Sequence, residues 1–237
     1  MLKINILFVM SKSCPIYGKA IYADCIDCDV KMCEGIMYNT IVIGIDQSYN
    51  NTGISISADG VLKVVKSLDL SKYNSNSEKR MALKKKLRAI TTLQMKKANN
   101  IICVIERIRL QSKGFLNIDY IKSIGALNAV VVDVMNEFGV KVYSVDTRCW
   151  KSQVVGTSKP EENIYGVKFE KWPTIKWCVS KGFEDSILIN VTGSRKIRGT
   201  FTDTYGKKYM YDNDAADSAA ISMFYFVGDR SKLKEEH

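Results

Sequence analysis

The sequence predicts an α/β domain built on a mixed five-stranded sheet flanked by helices, with a small cysteine-rich segment ahead of it. Three observations carry that expectation. Short β-branched runs at 40–46, 52–58 and 61–70 are separated only by turn residues, apolar runs at 101–106 and 140–145 each follow a helical pattern, and four of the seven cysteines crowd into positions 14–33.

From Tyr38 onward each element has a local reason. TIVIGID (40–46) is an apolar strand ending in an acid, QSYNN is a polar turn, and TGISISA (52–58) is a second strand. Asp59-Gly60 is a strong hairpin dipeptide and leads into VLKVVKSLDL, so three antiparallel strands are expected over 40–70. In the connector SKYNSNSE, Ser75 and Glu78 have the spacing of a capping box. The helix they open carries Leu83, Leu87 and Ile90 at helical intervals, with lysines and arginines between them as a basic face. IICVIE (101–106) is again a strand ending in an acid, followed by a helix marked by Ile118, Ile121, Ile124, Leu127 and Val134, and then by the strand VKVYSV (140–145). Helix, strand, helix and strand in that order imply right-handed crossovers and parallel pairing, which makes the sheet mixed. Beyond Gly156 the chain turns polar, resumes a helix near 172–182, passes through a basic stretch at 193–208 and ends in the helix NDAADSAAISMFYFV (213–227), with Asn213 as its cap.

Composition limits the function classes. A chain of 237 residues holds one large domain, or one domain with a small appendage. With 46% hydrophobic residues, 15 Gly and 3 Pro it can bury a core, which excludes collagenous and disordered classes. The excess of 35 Lys and Arg over 25 Asp and Glu gives a net charge of +10, which favours nucleic acid or another polyanion, an anionic membrane surface included. No apolar run reaches the roughly 20 residues that span a bilayer, and MLKINILFVM is a poor secretory signal, so a cytoplasmic protein is expected.

The cysteines divide into two groups. Cys14, Cys25, Cys28 and Cys33 follow C-x10-C-x2-C-x4-C in a segment too short for its own core. Four thiolates would complete the tetrahedral shell of one structural Zn²⁺ and supply folding free energy. Unliganded thiols and a disulfide pair are the alternatives, the latter disfavoured in a reducing cytosol. The only histidine is His237, so a zinc site here is an all-cysteine one. Cys103, Cys149 and Cys178 read as small buried hydrophobes.

The acids at the ends of these elements carry the chemistry. Asp46 and Glu106 each close an apolar strand, where a carboxylate is costly to desolvate unless paired, hydrogen-bonded or bound to a cation. Asp214 and Asp217 stand three residues apart on one face of the last helix. Taken singly, Asp46 begins a turn, Glu106 pairs with Arg107 or Arg109, and Asp214 complements a helix dipole. Taken together, four convergent carboxylates call for one or two hard divalent cations, Mg²⁺ or Mn²⁺, and point to phosphodiester hydrolysis. In a basic protein the substrate is then nucleic acid.

Four segments in order, IGIDQSYNNTGISI around Asp46, IERIRLQ around Glu106, DTRCWKSQVVG at 146–156 and NDAADSAAI at 213–221, resemble the RuvC-like Holliday junction resolvases of the ribonuclease H-like superfamily. The resemblance covers about 38–227 and is most specific in the Asp-x-x-Asp helix preceded by the lysine and Val-Val-Gly segment. It implies a ribonuclease H-like fold, two Mg²⁺ held by Asp46, Glu106, Asp214 and Asp217, and a homodimer that nicks a four-way DNA junction symmetrically. Lys151 and Lys171 correspond to DNA-contacting positions, and a phage or prophage origin is inferred on the same ground. Where the family often carries an aromatic after the strand-borne Glu, this chain has Arg109 and Leu110, with Phe115 only later.

The expected layout is a cysteine module at 1–37, a nuclease domain at 38–228 and a charged tail at 229–237. A basic and aromatic insertion lies at about 190–212. There Arg195, Lys196, Arg198, Lys207 and Lys208 alternate with Phe201, Tyr205, Tyr209 and Tyr211, suiting either phosphate contacts with base stacking or a hairpin packing its aromatics on the domain. Arg109, Arg195, Lys196 and Arg198 join Lys151 and Lys171 as candidate DNA contacts. Neither a membrane nor a small-molecule substrate is expected. Other classes are a related nuclease acting on flaps or RNA, a non-catalytic binder of branched DNA, and an actin-like ATPase, whose further Gly-rich phosphate loops the chain lacks.

Overall fold

The computed structural model describes residues 37–108, 118–157, 159, 161–162, 168–169, 171–191, 200–202 and 204–236. The four amino-terminal cysteines, Arg109, Phe115, Arg195, Lys196 and Arg198 lie outside the described residues.

The element order is β1 (Tyr38–Asp46), β2 (Asn51–Ala58), β3 (Val61–Asp69), α1 (Asn76–Met95), β4 (Ala98–Glu106), α2 (Ile118–Glu137) and β5 (Lys141–Val145). After these come α3 (Thr147–Trp150), a π-helical turn over Lys151–Val155, the short strands β6 (Glu161–Glu162) and β7 (Lys168–Phe169), α4 (Trp172–Ser180), α5 (Glu184–Ile187) and β8 (Leu188–Asn190). The chain finishes with β9 (Phe201–Thr202), β10 (Lys208–Tyr211), α6 (Asn213–Val227), a 3₁₀ turn at Arg230–Lys232 and β11 (Lys234–Glu236).

The main sheet has six strands in the order β11-β5-β4-β1-β2-β3, which corrects the expected five. The sixth comes from the tail, where Lys234–Glu236 pairs antiparallel with β5 along Val142–Ser144. Its Lys-Glu-Glu sequence has no strand propensity, and it is ordered by backbone pairing to an otherwise open edge. The other five strands follow the expected plan: β1, β2 and β3 are antiparallel neighbours, and β1, β4 and β5 run parallel.

Local signals explain the turns. Asp59 (φ 47°) and Gly60 (φ 80°) supply the left-handed pair that a tight hairpin needs. The Asp59 carboxylate also accepts from the backbone N–H groups of Asn39 (3.1 Å) and Thr40 (2.9 Å). The Ser75 hydroxyl accepts from Glu78 N (3.2 Å) while the Glu78 carboxylate accepts from Ser75 N (3.0 Å), closing the predicted capping box.

Alternation along each strand separates two faces. Ile41, Ile43 and Ile45 of β1, Ile54 and Ile56 of β2, and Ile101, Cys103 and Ile105 of β4 pack with Leu83, Leu87 and Ile90 of α1 and Leu127, Val131 and Val134 of α2. Val42, Ile102 and Val104 point the other way, toward Ala220, Ile221 and Phe224 of α6. No helix among the described residues is long and apolar enough to cross a membrane.

Candidate active site

Parallel pairing sets the first two acids side by side. Ile45 of β1 lies opposite Ile105 of β4, so Asp46 and Glu106 end adjacent strands at one level, both on the face covered by α6. Glu106 in turn lies opposite Val145, the last residue of β5. The carboxyl ends of parallel strands are where open α/β sheets place their ligands.

The other two acids arrive on α6, and small residues let that helix come close. A Cβ on Gly53 would stand 1.9 Å from the backbone oxygen of Asp214, and one on Gly44 2.4 Å from that of Ser218. The Ser55 hydroxyl donates to Ser218 O (2.6 Å), and the Ser57 and Ser222 hydroxyls meet at 2.7 Å. Ala215, Ala216, Ala219 and Ala220 complete a helix face of side chains too short to hold the backbones apart.

The cap of α6 is Asp212, not the expected Asn213. The Asp212 carboxylate accepts from Ala215 N (3.0 Å) and Asn51 Nδ2 (3.0 Å), and also from the Ser67 hydroxyl, tying the helix start to β2 and β3. Asn213 instead donates to Asp214 Oδ1 (3.0 Å). A single-residue offset of this kind is unreadable from sequence, because both residue types cap well.

Electrostatics show that the acids feel one another. Burial, followed by the negative charges of Asp217 and Glu106, pushes the Asp46 carboxyl well above its ordinary range, against the opposing charge of Lys171. Glu106 is raised by burial and by Asp217, although the Thr147 hydroxyl, donating to its Oε1 at 2.7 Å, favours the charged form. Asp214 is pushed up to about 6, by burial first and then by Asp212. Asp217 is fully buried, and its Oδ1 has no hydrogen-bond partner.

Lys171 lies inside this cluster. It precedes α4, whose Trp172, Ile175 and Cys178 pack against Ala215, Ala216 and Ala219 of α6, and its ammonium contacts Asp217 Oδ2. Burial disfavours the ammonium, yet Asp217, Asp46 and Glu106 together hold its pKa above the usual lysine value. Lys151, the first residue of the π-helical turn, stacks its ammonium 5.2 Å from the Trp150 ring and is near enough to bias Glu106 toward its charged form. Gly156 (φ 89°) ends that turn in the left-handed region.

The structure thus brings Asp46, Glu106, Asp214 and Asp217 to one edge, with Lys171 against them and Lys151 near Glu106. Among the described residues no three His, Cys, Asp or Glu side chains are arranged to enclose a metal ion as they stand. The donor set nevertheless suits a hard cation: all four groups are carboxylates, and one buried oxygen is unpartnered. Sequence reasoning missed Thr147, Asp212, Asn51 and the two close-approach glycines. The alternation Gly-Ile-Ser-Ile-Ser at 53–57 was the available signal for a strand with one small-residue face.

The insertion forms a second sheet, ordered β8-β10-β9. Phe201 stacks on Tyr209 (5.9 Å) and Tyr211 (5.4 Å), and Tyr211 on Trp172 (5.7 Å), so these aromatics anchor the hairpin to α4. Tyr205, at the hairpin tip, is 88% exposed.

No family model matches the sequence, and no curated protein does. Solved structures do match. The Thermus thermophilus RuvC structure aligns at 12% identity with a TM-score of 0.51, covering 83% of this chain and 99% of that one. The fold is shared with RuvC. The T. thermophilus RuvC structure in complex with Holliday junction substrate aligns at 14% identity and the same TM-score, again over 83% of this chain and 99% of that one. The mixed sheet with helices on both faces agrees with the ribonuclease H-like architecture that the motifs around Asp46, Glu106 and Asp214 imply.

Proposed function

We propose that this protein is a structure-selective DNA endonuclease that resolves four-way junctions or other branched DNA by cation-dependent phosphodiester hydrolysis. The observation that supports it is the gathering of four buried or half-buried carboxylates, with an unpartnered Asp217 oxygen, at the carboxyl edge of the sheet. The sharing of this fold with a RuvC solved on a Holliday junction substrate supports the choice of DNA geometry.

Asp46, Glu106, Asp214 and Asp217 would hold Mg²⁺ or Mn²⁺, two ions per site. Bound there, such ions supply activation of water and stabilisation of the leaving oxygen. The chain's own part is positioning. The β1–β4 ladder fixes Asp46 beside Glu106, Thr147 occupies one Glu106 oxygen, and the Asp212 cap sets where Asp214 and Asp217 stand. Lys151 and Lys171 bring positive charge to the same edge, suited to the phosphates flanking the cut, and Arg109, Arg195, Lys196 and Arg198 would extend that contact. A homodimer matches the two-fold symmetry of a four-way junction and would cut opposing strands with two identical sites. Cys14, Cys25, Cys28 and Cys33 would hold a structural Zn²⁺ apart from this chemistry.

Asp46→Asn is expected to abolish cleavage while junction binding survives. Undiminished cleavage by the folded variant would remove the assignment. Cuts confined to flaps or RNA would keep the site and change the substrate.

A further inference from the structure

The turn between β1 and β2 separates the carboxylates from a cleft. This cleft of about 210 Å³ opens between the starts of α1 and α2, lined by Tyr49, Asn76, Lys79, Arg80, Lys122 and Ser123 over an apolar floor. Among the described residues no carboxylate lines it. Among the described residues none of its three cations forms a salt bridge.

Lys79 is 5% exposed, and its ammonium lies 3.5 Å from the Tyr49 ring centroid. It donates to Tyr49 O (3.3 Å) and Asn50 Oδ1 (2.9 Å), which are neutral groups that hold the charge in place, and the Asp69 carboxylate feels it at longer range. The Tyr49 hydroxyl donates to Asn76 Oδ1 (2.6 Å), and Asn76 Nδ2 to the Ser123 hydroxyl (3.4 Å), joining the turn, α1 and α2 into one polar wall. Arg80 and Lys122 are exposed at the mouth. A preformed cleft with three cations outside any of these salt bridges, beside neutral hydrogen-bonding groups, selects an anion rich in acceptor oxygens.

Its position names the anion. Strands β1, β3 and β4 run in one direction, and α1 and α2 begin past the carboxyl ends of β3 and β4, so the cleft shares an edge with Asp46 and lies on the opposite face of the sheet. Only the turn 47–50 lies between them in sequence, and Gln47, next to Asp46, donates to Asn128 of α2 (2.7 Å). We propose that the cleft binds a non-scissile phosphodiester of the same nucleic acid, holding it across this edge while another phosphodiester lies at the carboxylates. The identity of the polyanion rests on the nuclease reading; the anion chemistry of the cleft does not.

The test reads binding alone, in EDTA, by fluorescence anisotropy of a labelled four-way junction over about 50–300 mM salt. Arg80→Ala/Lys122→Ala is expected to weaken binding about 5- to 30-fold at low salt and to flatten the log–log salt slope by about 1. Lys85→Ala/Lys96→Ala removes equal charge from exposed positions farther along α1 and at its C-cap and serves as control, with a smaller loss and an unchanged slope. Equal effects from the two double variants, or none from either, would overturn the proposal. Inorganic phosphate shifting the Asn76 and Ser123 amides while the Arg80/Lys122 variant binds the junction normally would overturn it in favour of a free anion. These losses in the Arg80/Lys122 variant together with a wild type that never cuts would keep the cleft and remove the nuclease reading. One that cuts while both double variants bind alike would do the reverse.

Discussion

The two faces of the main sheet are built by opposite rules. Toward α1 and α2 the strands present Ile41, Ile43, Ile45, Ile54, Ile56 and Ile105, large β-branched side chains that pack with Leu83, Leu87 and Leu127 of those helices. Toward α6 the sheet keeps Val42, Ile102 and Val104 but turns small at Gly44, Gly53, Ser55 and Ser57, where the helix answers with alanines and serines. Stability comes mainly from the first face, since buried aliphatic area is the larger favourable term. The second face gives up area and gains proximity, which brings Asp214 and Asp217 to the level of Asp46 and Glu106.

If that division holds, substitutions on the two faces separate stability from activity. Leu87→Ala, fully buried on the aliphatic face, should cost about 2–5 kcal/mol in chemical denaturation while cleavage per folded molecule stays unchanged. Loss of cleavage in proportion beyond the unfolded fraction would show that the faces are not independent.

The acid face should behave in the opposite sense. Asp214, raised to about 6 when folded, binds more protons in the native state than in the unfolded chain between about pH 4 and 6. In EDTA, stability therefore falls as pH rises through that window, and Asp214→Asn should remove part of the fall, stabilising the protein near pH 7 by up to about 3 kcal/mol. Thermal melts at pH 4.5 and 7 measure it; a variant less stable than wild type at pH 7 would contradict the assigned cost of burying the Asp214 charge beside Asp212.

Gly53→Ala tests proximity itself. With Asp214 O 1.9 Å from the new Cβ, α6 must move, at a cost of about 1–3 kcal/mol and with loss of cleavage larger than that of stability. Ser75→Ala, at the exposed cap of α1, should cost about 1 kcal/mol and leave cleavage untouched.

Much of this arrangement was legible in the chain. Short β-branched and apolar runs gave β1 to β5, Asp59-Gly60 gave the hairpin, Ser75 and Glu78 gave the start of α1, and α6 spans the same residues as its sequence pattern, 213–227. Asp46 and Glu106 were visible because a carboxylate closing an apolar run is locally anomalous, and Asp214 and Asp217 because a three-residue spacing sets both on one helix face. What stayed hidden depends on long-range contacts. Nothing in Lys-Glu-Glu announces β11, whose order comes from β5 beside it. The contact of Lys171 with Asp217 exists only because α4 packs on α6, and the Asp212 cap is selected by Asn51 and Ser67, far away in sequence. The aromatics of the insertion suit stacking on bases equally well by sequence, and it is the packing of Tyr211 on Trp172 that ties them to the domain.

The most direct measurement is cleavage of a synthetic four-way junction beside linear, flap and RNA-containing duplexes, with Mg²⁺ or EDTA, by wild type and Asp217→Asn. Paired symmetric nicks on the junction that require Mg²⁺ and vanish in the variant are the predicted result. Cleavage that persists in EDTA, or in folded Asp217→Asn, would contradict a carboxylate-held cation as the source of activity.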